Sequence, residues 1–398
     1  MKNCFSFLTF AQLVIFERVD YQELFHLYKE PSIIGRYICL RHIEPVLLRL
    51  QKQGKVSVVG KSVLAKPVYV YKNGSGATKI MMWSQMHGNE STTTKALFDF
   101  FNFLDSEQGK ELKEKFTFYI LPMLNPDGAE KWTRNNANDI DLNRDSQNLT
   151  QPESRLLRQC IEDFQPDFCY NLHDQRTIFG AEGTKNPATV SFLAPAYDKE
   201  KSVNQTRKKA MQLIVMMNRV LQKLIPGHIS RFDDGFNINC IGDSVQNMGI
   251  PTVLIEAGHF PQDYQREQTR KYIFIALIAG LFGLHKECET DFELSQYYNI
   301  SGNKKSFYDF IYKKVLLNYD NKEIITNFAV QFQEFLVEND ILFEAYISEI
   351  GGLEGISGHF EYEAQGKEYT DSEGKKPVIG KKADFYLGNT AFKNGFPL

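Results

Sequence analysis

Cysteine is scarce and scattered. Six occur in 398 residues (Cys4, Cys39, Cys160, Cys169, Cys240 and Cys288), and no two form a C-x-x-C pair. That spacing excludes a thiolate zinc cluster and offers no disulfide framework. It fits free thiols in a reducing compartment, and a cytoplasmic location is the expectation. Strong charge of either sign is missing as well: the formal net charge is −3, which leaves no electrostatic footprint for nucleic acid or an acidic membrane. Internal repeats and low-complexity tracts are absent, which excludes solenoid architectures. One apolar run, Asn3 to Phe16 behind Lys2, has the outline of a signal peptide. It ends in Glu17-Arg18-Val19-Asp20 without a small-residue cleavage site, and it is too short to span a bilayer. The expectation is an extension packed on the domain, or a start placed too far upstream. No other segment is a candidate to cross a membrane.

What remains is a chain of ordinary globular texture, with 42% apolar and 24% charged residues and enough length for one large α/β domain plus a smaller one. Apolar spacing over Tyr21 to Leu50 predicts helix. Strands are expected at Lys55–Val59 and Lys66–Tyr71, then at Lys79–Trp83, Phe116–Leu121, Asp167–Leu172, Val190–Leu193 and Thr252–Ile255. Helices are expected at Ser91–Leu104, Glu153–Phe164, Ser202–Leu224 and Asp263–Leu284. This alternation predicts an α/β fold with a mixed, largely parallel central sheet covered by helices on both faces. Beyond about residue 290, aromatic and β-forming segments such as ILFEAYISEI and GHFEYEAQGKEY predict a small β-rich C-terminal domain. The expected division is 1–50 for an N-terminal helical extension, 51–290 for the catalytic domain and 291–398 for the accessory domain.

Three candidate chemical residues fall at the same end of three strands, where ligands bind in such sheets. His87 and Glu90 lie in His87-Gly88-Asn89-Glu90, after one strand. His173 ends a second and Glu256 a third. Two imidazoles and a carboxylate suit Zn²⁺, and three protein ligands leave a position open, as catalysis requires. Singly, each of these residues is more often a hydrogen-bonding or solvated group; the shared position makes them one candidate centre for one zinc ion. Glu256 closes the apolar run Val253-Leu254-Ile255, where a carboxylate without a task would be costly, and it is the candidate general base. Arg134 is the candidate to stabilise an oxyanion, and Asn143 with Arg144 to hold a substrate carboxylate. All three lie in Thr133 to Asp145, a stretch dense in Asn, Asp and Arg that predicts an ordered polar loop. Asn125-Pro126-Asp127-Gly128 before it is expected to be a turn that shapes the loop. Asp174 reads either as a partner of the metal ligands or as a helix cap.

The ordered set HGNE, NPDG, RNNANDIDLNRD, NLHD and IEAG resembles the zinc metallocarboxypeptidase family, from about Val58 to Leu284. The resemblance implies a zinc carboxypeptidase-like fold and a single Zn²⁺ held by His87, Glu90 and His173. It implies carbonyl polarisation by Arg134, a carboxylate clamp at Asn143 and Arg144, and proton transfer by Glu256. The implied reaction is hydrolysis of a C-terminal peptide bond. Enzymes of that family usually carry a loop tyrosine roughly twenty residues before the base, and Ser230 to Asn237 contains none. HGNE and LHD are also similar to the deacylase branch of the superfamily, with aspartoacylase and succinylglutamate desuccinylase, which cleaves N-acyl amino acids and often carries a small β domain. That activity is the alternative. A non-catalytic zinc-binding module is a third possibility, opposed by the complete set of ligands, base and arginines. The expected partner is a peptide or N-acyl amino acid with a free carboxylate.

Overall fold

A computed structural model describes residues 20–285, 292–319, 322–374 and 376–398. Cys4, Cys288 and the apolar run Asn3 to Phe16 lie outside the described residues; Cys39, Cys160, Cys169 and Cys240 are free thiols. No described helix is long and apolar enough to cross a membrane.

The centre is an eight-stranded mixed sheet. Its strands are β1 (Val56–Lys61), β2 (Pro67–Asn73), β3 (Thr78–Ser84), β4 (Phe116–Leu121), β5 (Phe168–Asp174), β7 (Val190–Leu193), β8 (Ile229–Arg231) and β9 (Thr252–Ala257). The order is β1-β2-β4-β3-β5-β9-β7-β8. The inner run β4-β3-β5-β9 is parallel throughout. Alternation along β3 shows why helices cover both faces. Ile80 and Met82 enter one core with α3 (Thr92–Leu104), α7 (Gln205–Leu224) and α9 (Glu267–His285). Met81 and Trp83 enter the other core with α6 (Pro152–Phe164) and α8 (Ile241–Asn247). Both faces need apolar side chains, so the inner strands read as unbroken apolar runs.

The N-terminal helical stretch is two helices rather than one: α1 (Tyr21–Tyr28) and α2 (Leu40–Lys52). The connector contains Pro31, which has no N–H to donate, and Gly35, whose φ of +85° leaves the helical region. Asn125-Pro126-Asp127-Gly128 opens a short helix, α5 (Pro126–Lys131), in place of the expected turn: Asn125 Oδ1 caps Gly128 N at 2.9 Å and Pro126 occupies the first turn. Asp263, expected inside α9, instead precedes it and accepts from the amides of Glu267, Gln268 and Thr269. α4 (Lys110–Lys115), α8 and the short strand β8 were too brief for periodicity to reveal.

After α10 (Leu294–Tyr298) comes β10 (Asn303–Lys305), which pairs with β6 (Phe179–Ala181). Four longer strands then follow: β11 (Phe307–Tyr319), β12 (Lys322–Val337), β13 (Asp340–Ile350) and β14 (Ser357–Glu363), in the order β13-β12-β11-β14. A second small sheet packs on them, and the core between is aromatic: Phe310, Tyr312, Phe328, Tyr369, Phe385 and Phe392 are buried together. Strands of this composition bury large rings on one face.

One buried charge pair ties α3 to α9. Arg270 donates to Asp99 through Nε at 2.7 Å and Nη2 at 2.5 Å, and neither side chain is exposed. Further Arg270 bonds reach the carbonyls of Glu30 and Ile33, in the connector after α1. Arg270→Met leaves Asp99 buried and unpaired, so denaturant unfolding should show a loss of about 3–5 kcal/mol. A loss under about 1 kcal/mol would mean that Asp99 is neutral or solvated in the native state.

Candidate active site

The strand register builds the centre. β5 and β9 run parallel with His173 paired directly to Glu256, so both side chains leave the same face at the carboxyl end of the sheet. His87 and Glu90 arrive from the neighbouring β3, through a turn of unusual closeness. A Cβ on Gly88 would fall 2.0 Å from the Gly128 carbonyl carbon, and one on Gly128 would fall 2.5 Å from Asn135 O. Only glycines allow these backbones to touch, which explains why the HGNE and NPDG segments occur together. Gln85 pins the same turn, donating to Gly88 O at 2.8 Å, and Gly88 N donates to Arg134 O at 3.3 Å.

His87, Glu90 and His173 are all buried, and one donor atom from each lies within 4.8 Å of the others. His87 Nδ1 stands 2.8 Å from Glu90 Oε1, and His173 Nδ1 stands 2.9 Å from Glu90 Oε2. The two Nδ1 atoms face each other at 3.2 Å. Two ring nitrogens and a carboxylate turned on one point could hold a cation, and the donor set fits Zn²⁺. On the far side of its ring, His87 Nε2 meets Asp141 Oδ1 at 3.0 Å. A proton on Nε2 leaves the Nδ1 lone pair for a metal, and the carboxylate orients the ring. Asp141 is itself held by Asn143 N at 2.9 Å and Arg134 Nε at 3.1 Å.

The charges respond to one another. Burial pushes the Glu90 carboxyl upward, but the charges and hydrogen bonds of His87 and His173 outweigh it and hold Glu90 well below the ordinary range. Asp141 behaves alike: burial is overcome by the hydrogen bond and charge of His87, then by Arg134. For His87 the cost of burial is outweighed by the charge of Glu90 and the hydrogen bonds to Asp141 and Glu90, and the ring is raised, whereas for His173 burial wins and the ring is lowered. Glu256 is raised well above the carboxylate range by burial, with the charges of Glu90 and Asp174 adding to it and Arg134 opposing. A carboxyl with raised proton affinity suits a group that must take up and release a proton. Among the described residues the Glu256 carboxyl makes no hydrogen bond, and it faces the cleft.

The cleft holds about 790 Å³. Arg134, Asn143 and Arg144 line it along with the three donors and Glu256, so the structure brings every candidate residue into one space. Arg134 Nη1 approaches Glu90 Oε1 at 3.4 Å. Asn143 Oδ1 accepts from Ile241 N at 3.1 Å, which ties the polar loop to the start of α8. Arg144 is exposed and donates to Asn143 O at 3.0 Å. Gly242 and Asp243 also line the cleft, and burial pushes Asp243 up to about 6. Tyr264 also lines it, with its hydroxyl donating to Asp309 Oδ1 at 2.8 Å. Sequence reasoning passed over Asp141 as one more acid in a polar loop, and it passed over Arg36, Asp309 and Glu334 entirely. Asp141 has a signal, an acid two residues before Asn143-Arg144. The other three have none, because their neighbours in space are far away in the chain.

Residues 46–213 match the family model described as zinc carboxypeptidase. Carboxypeptidase SOL1 of Arabidopsis thaliana is 26% identical over 170 residues, 37% of this chain and 35% of that protein. Carboxypeptidase D of Mus musculus is 26% identical over 184 residues, 36% of this chain and 13% of that protein. The chain thus matches about a third or less of the length of these curated relatives. In three dimensions the carboxypeptidase A of Helicoverpa armigera is similar with a TM-score of 0.52 at 14% identity, over 70% of this chain and 81% of that one, which supports the shared α/β fold. Its HGNE and NLHD segments converge on one buried donor set, and both lie within the stretch, residues 46–213, that is similar to zinc carboxypeptidases.

Proposed function

We propose that this protein is a zinc-dependent carboxypeptidase, with one Zn²⁺ held by His87, Glu90 and His173. The observation that carries the proposal is the convergence of those three donors beside Glu256 in a cleft also lined by Arg134, Asn143 and Arg144. Bound there, zinc supplies Lewis-acid polarisation of a carbonyl and acidification of water. The chain's own groups do the rest. Glu256 takes the proton of the attacking water and returns it to the leaving amine. Arg134 donates to the carbonyl oxygen as negative charge builds on it. Arg144 and Asn143 hold the terminal carboxylate of the substrate, as a guanidinium fork matches that geometry. Asp141 keeps His87 in the tautomer that presents Nδ1.

A second reading, a deacylase of N-acyl amino acids, is favoured by one observation: the C-terminal sheet contributes Asp309, Phe332, Glu334 and Phe343 to the cleft. A wall there suits a short acyl group. The two activities share zinc, base and arginines, because each hydrolyses an amide beside a carboxylate.

With zinc present, Glu256→Gln should retain the metal and lose kcat by about 10²–10⁴-fold, measured on any substrate the native protein turns over. Retained turnover would remove Glu256 from the role of base. Arg144→Ala should chiefly raise KM, by roughly ten- to a hundredfold, the weight of a lost charge-assisted hydrogen bond. An unchanged KM would place the carboxylate elsewhere. Paired assays on N-blocked peptides and on N-acetyl and N-succinyl amino acids separate the two activities. Release of C-terminal residues from peptides is the expected result, and cleavage of the acyl amino acids alone would establish the deacylase.

A further inference from the structure

Two cleft-lining residues lie outside the stretch matched by the family and have no task in the mechanism above: Arg36, in the connector between α1 and α2, and Glu334, on β12. They are joined. Arg36 is 5% exposed. Its Nε and Nη2 each reach Glu334 Oε1 at 3.4 Å, and its Nη1 donates to Asp174 Oδ2 at 3.0 Å. The guanidinium lies 5.1 Å from the centre of the Trp132 ring, whose Nε1 donates to Glu334 Oε2 at 3.1 Å. Arg36 is therefore fixed on three sides, by two carboxylates and an indole.

Asp174 carries the connection onward. Its Oδ2 also accepts from Thr92 N at 3.0 Å and Thr92 Oγ1 at 2.6 Å, at the first turn of α3, two residues past Glu90. Its Oδ1 is buried without a hydrogen-bond partner among the described residues, whose contacts orient the carboxylate through Oδ2. The backbone N of Asp174 donates to Glu90 Oε2 at 3.1 Å, the same oxygen that faces His173 Nδ1. A continuous path of polar contacts thus runs from the C-terminal sheet to the carboxylate donor: Glu334, Arg36, Asp174, Glu90. If Glu334 is removed, half of what orients Arg36 is lost. Arg36 then rests on Asp174 and the Trp132 ring without its second carboxylate, and its hold on Asp174, whose backbone amide meets Glu90, loosens.

We propose that Glu334 is a positioning residue of the metal centre, acting through Arg36 and Asp174 to hold Glu90, so that the C-terminal sheet is a working part of the active site. This rests on His87, Glu90 and His173 being the metal donors. It does not depend on which amide is cleaved.

The test is the zinc affinity of the full chain, read by competition with a chromophoric chelator. Arg36→Met should bind zinc about tenfold or more weakly, the usual effect of removing a group that orients a ligand, and Glu334→Gln roughly three- to tenfold more weakly. Because Glu334 acts through Arg36, adding Glu334→Gln to Arg36→Met should weaken binding no further. Glu344→Gln, which breaks an exposed pair with Lys382 on the same sheet, should bind zinc like the native chain. Should Arg36→Met fail to fold, Arg36→Lys serves the same arm, since an ammonium cannot span both carboxylates. Native affinity in Glu334→Gln, or losses that simply add in the double variant, would overturn the proposal. His87→Ala keeps the two claims apart: zinc bound as tightly without His87 would instead refute the donor set itself.

Discussion

Charge buried at the end of a sheet has to be compensated, and the organisation of this protein around residues 87–90, 134–144 and 173–174 follows from that demand. His87, Glu90, His173 and Asp174 are all nearly inaccessible to water. A carboxylate in such a place is tolerated only when hydrogen bonds and opposite charge surround it. Glu90 meets two imidazoles, the amide of Asp174 and the guanidinium of Arg134. Asp174 meets Arg36 and the first turn of α3. In the proposed function a divalent cation among the three donors would add to this balance, since its charge opposes that of Glu90. Glu256 differs, since its carboxyl has no hydrogen-bond partner among the described residues and its burial favours the protonated form. Two neighbouring acids are thus pushed in opposite directions by their surroundings, the difference on which the proposed division of ligand from proton carrier rests.

Much of the fold was legible because the inner strands bury both faces. Phe116–Leu121 and Val190–Leu193 stand where short apolar runs predicted them, and β3, β5 and β9 differ only at their ends. Those ends are informative. His173 and Glu256 lie within their strands, not just beyond them, because pairing between β5 and β9 continues to Asp174 and Ala257. The candidate residues were legible as a set because imidazole, carboxylate and guanidinium recur in an order that a packed core would not produce. The glycine contact between residues 88 and 128 was hidden, since closeness of two backbones leaves no trace in periodicity. The link between Arg36 and Glu334 was hidden for a simpler reason: the two are 298 positions apart, and each reads alone as an ordinary surface charge.

The C-terminal sheet changes what the cleft can admit. Tyr264, Phe332 and Phe343 lie ring to ring at 5.1 to 5.8 Å and line the same space as Glu256. Asp309, buried behind them, accepts from Tyr264 and from the amide of Phe332. The phenol of Tyr264 is thus engaged with the added sheet, while Ser230 to Asn237 brings Phe232 and Asp233 to the cleft and no tyrosine. Aromatic rings, two of them from the added sheet, form this boundary of the site.

The central claim is that His87, Glu90 and His173 act as one metal centre, and metal content tests it most directly. The native chain, purified without chelators and analysed by mass spectrometry for bound metals, should carry one zinc per molecule. Glu90→Ala and His173→Ala, confirmed folded by circular dichroism, should carry essentially none. A native chain that takes up no zinc when it is supplied, or variants that keep a full equivalent, would contradict the account.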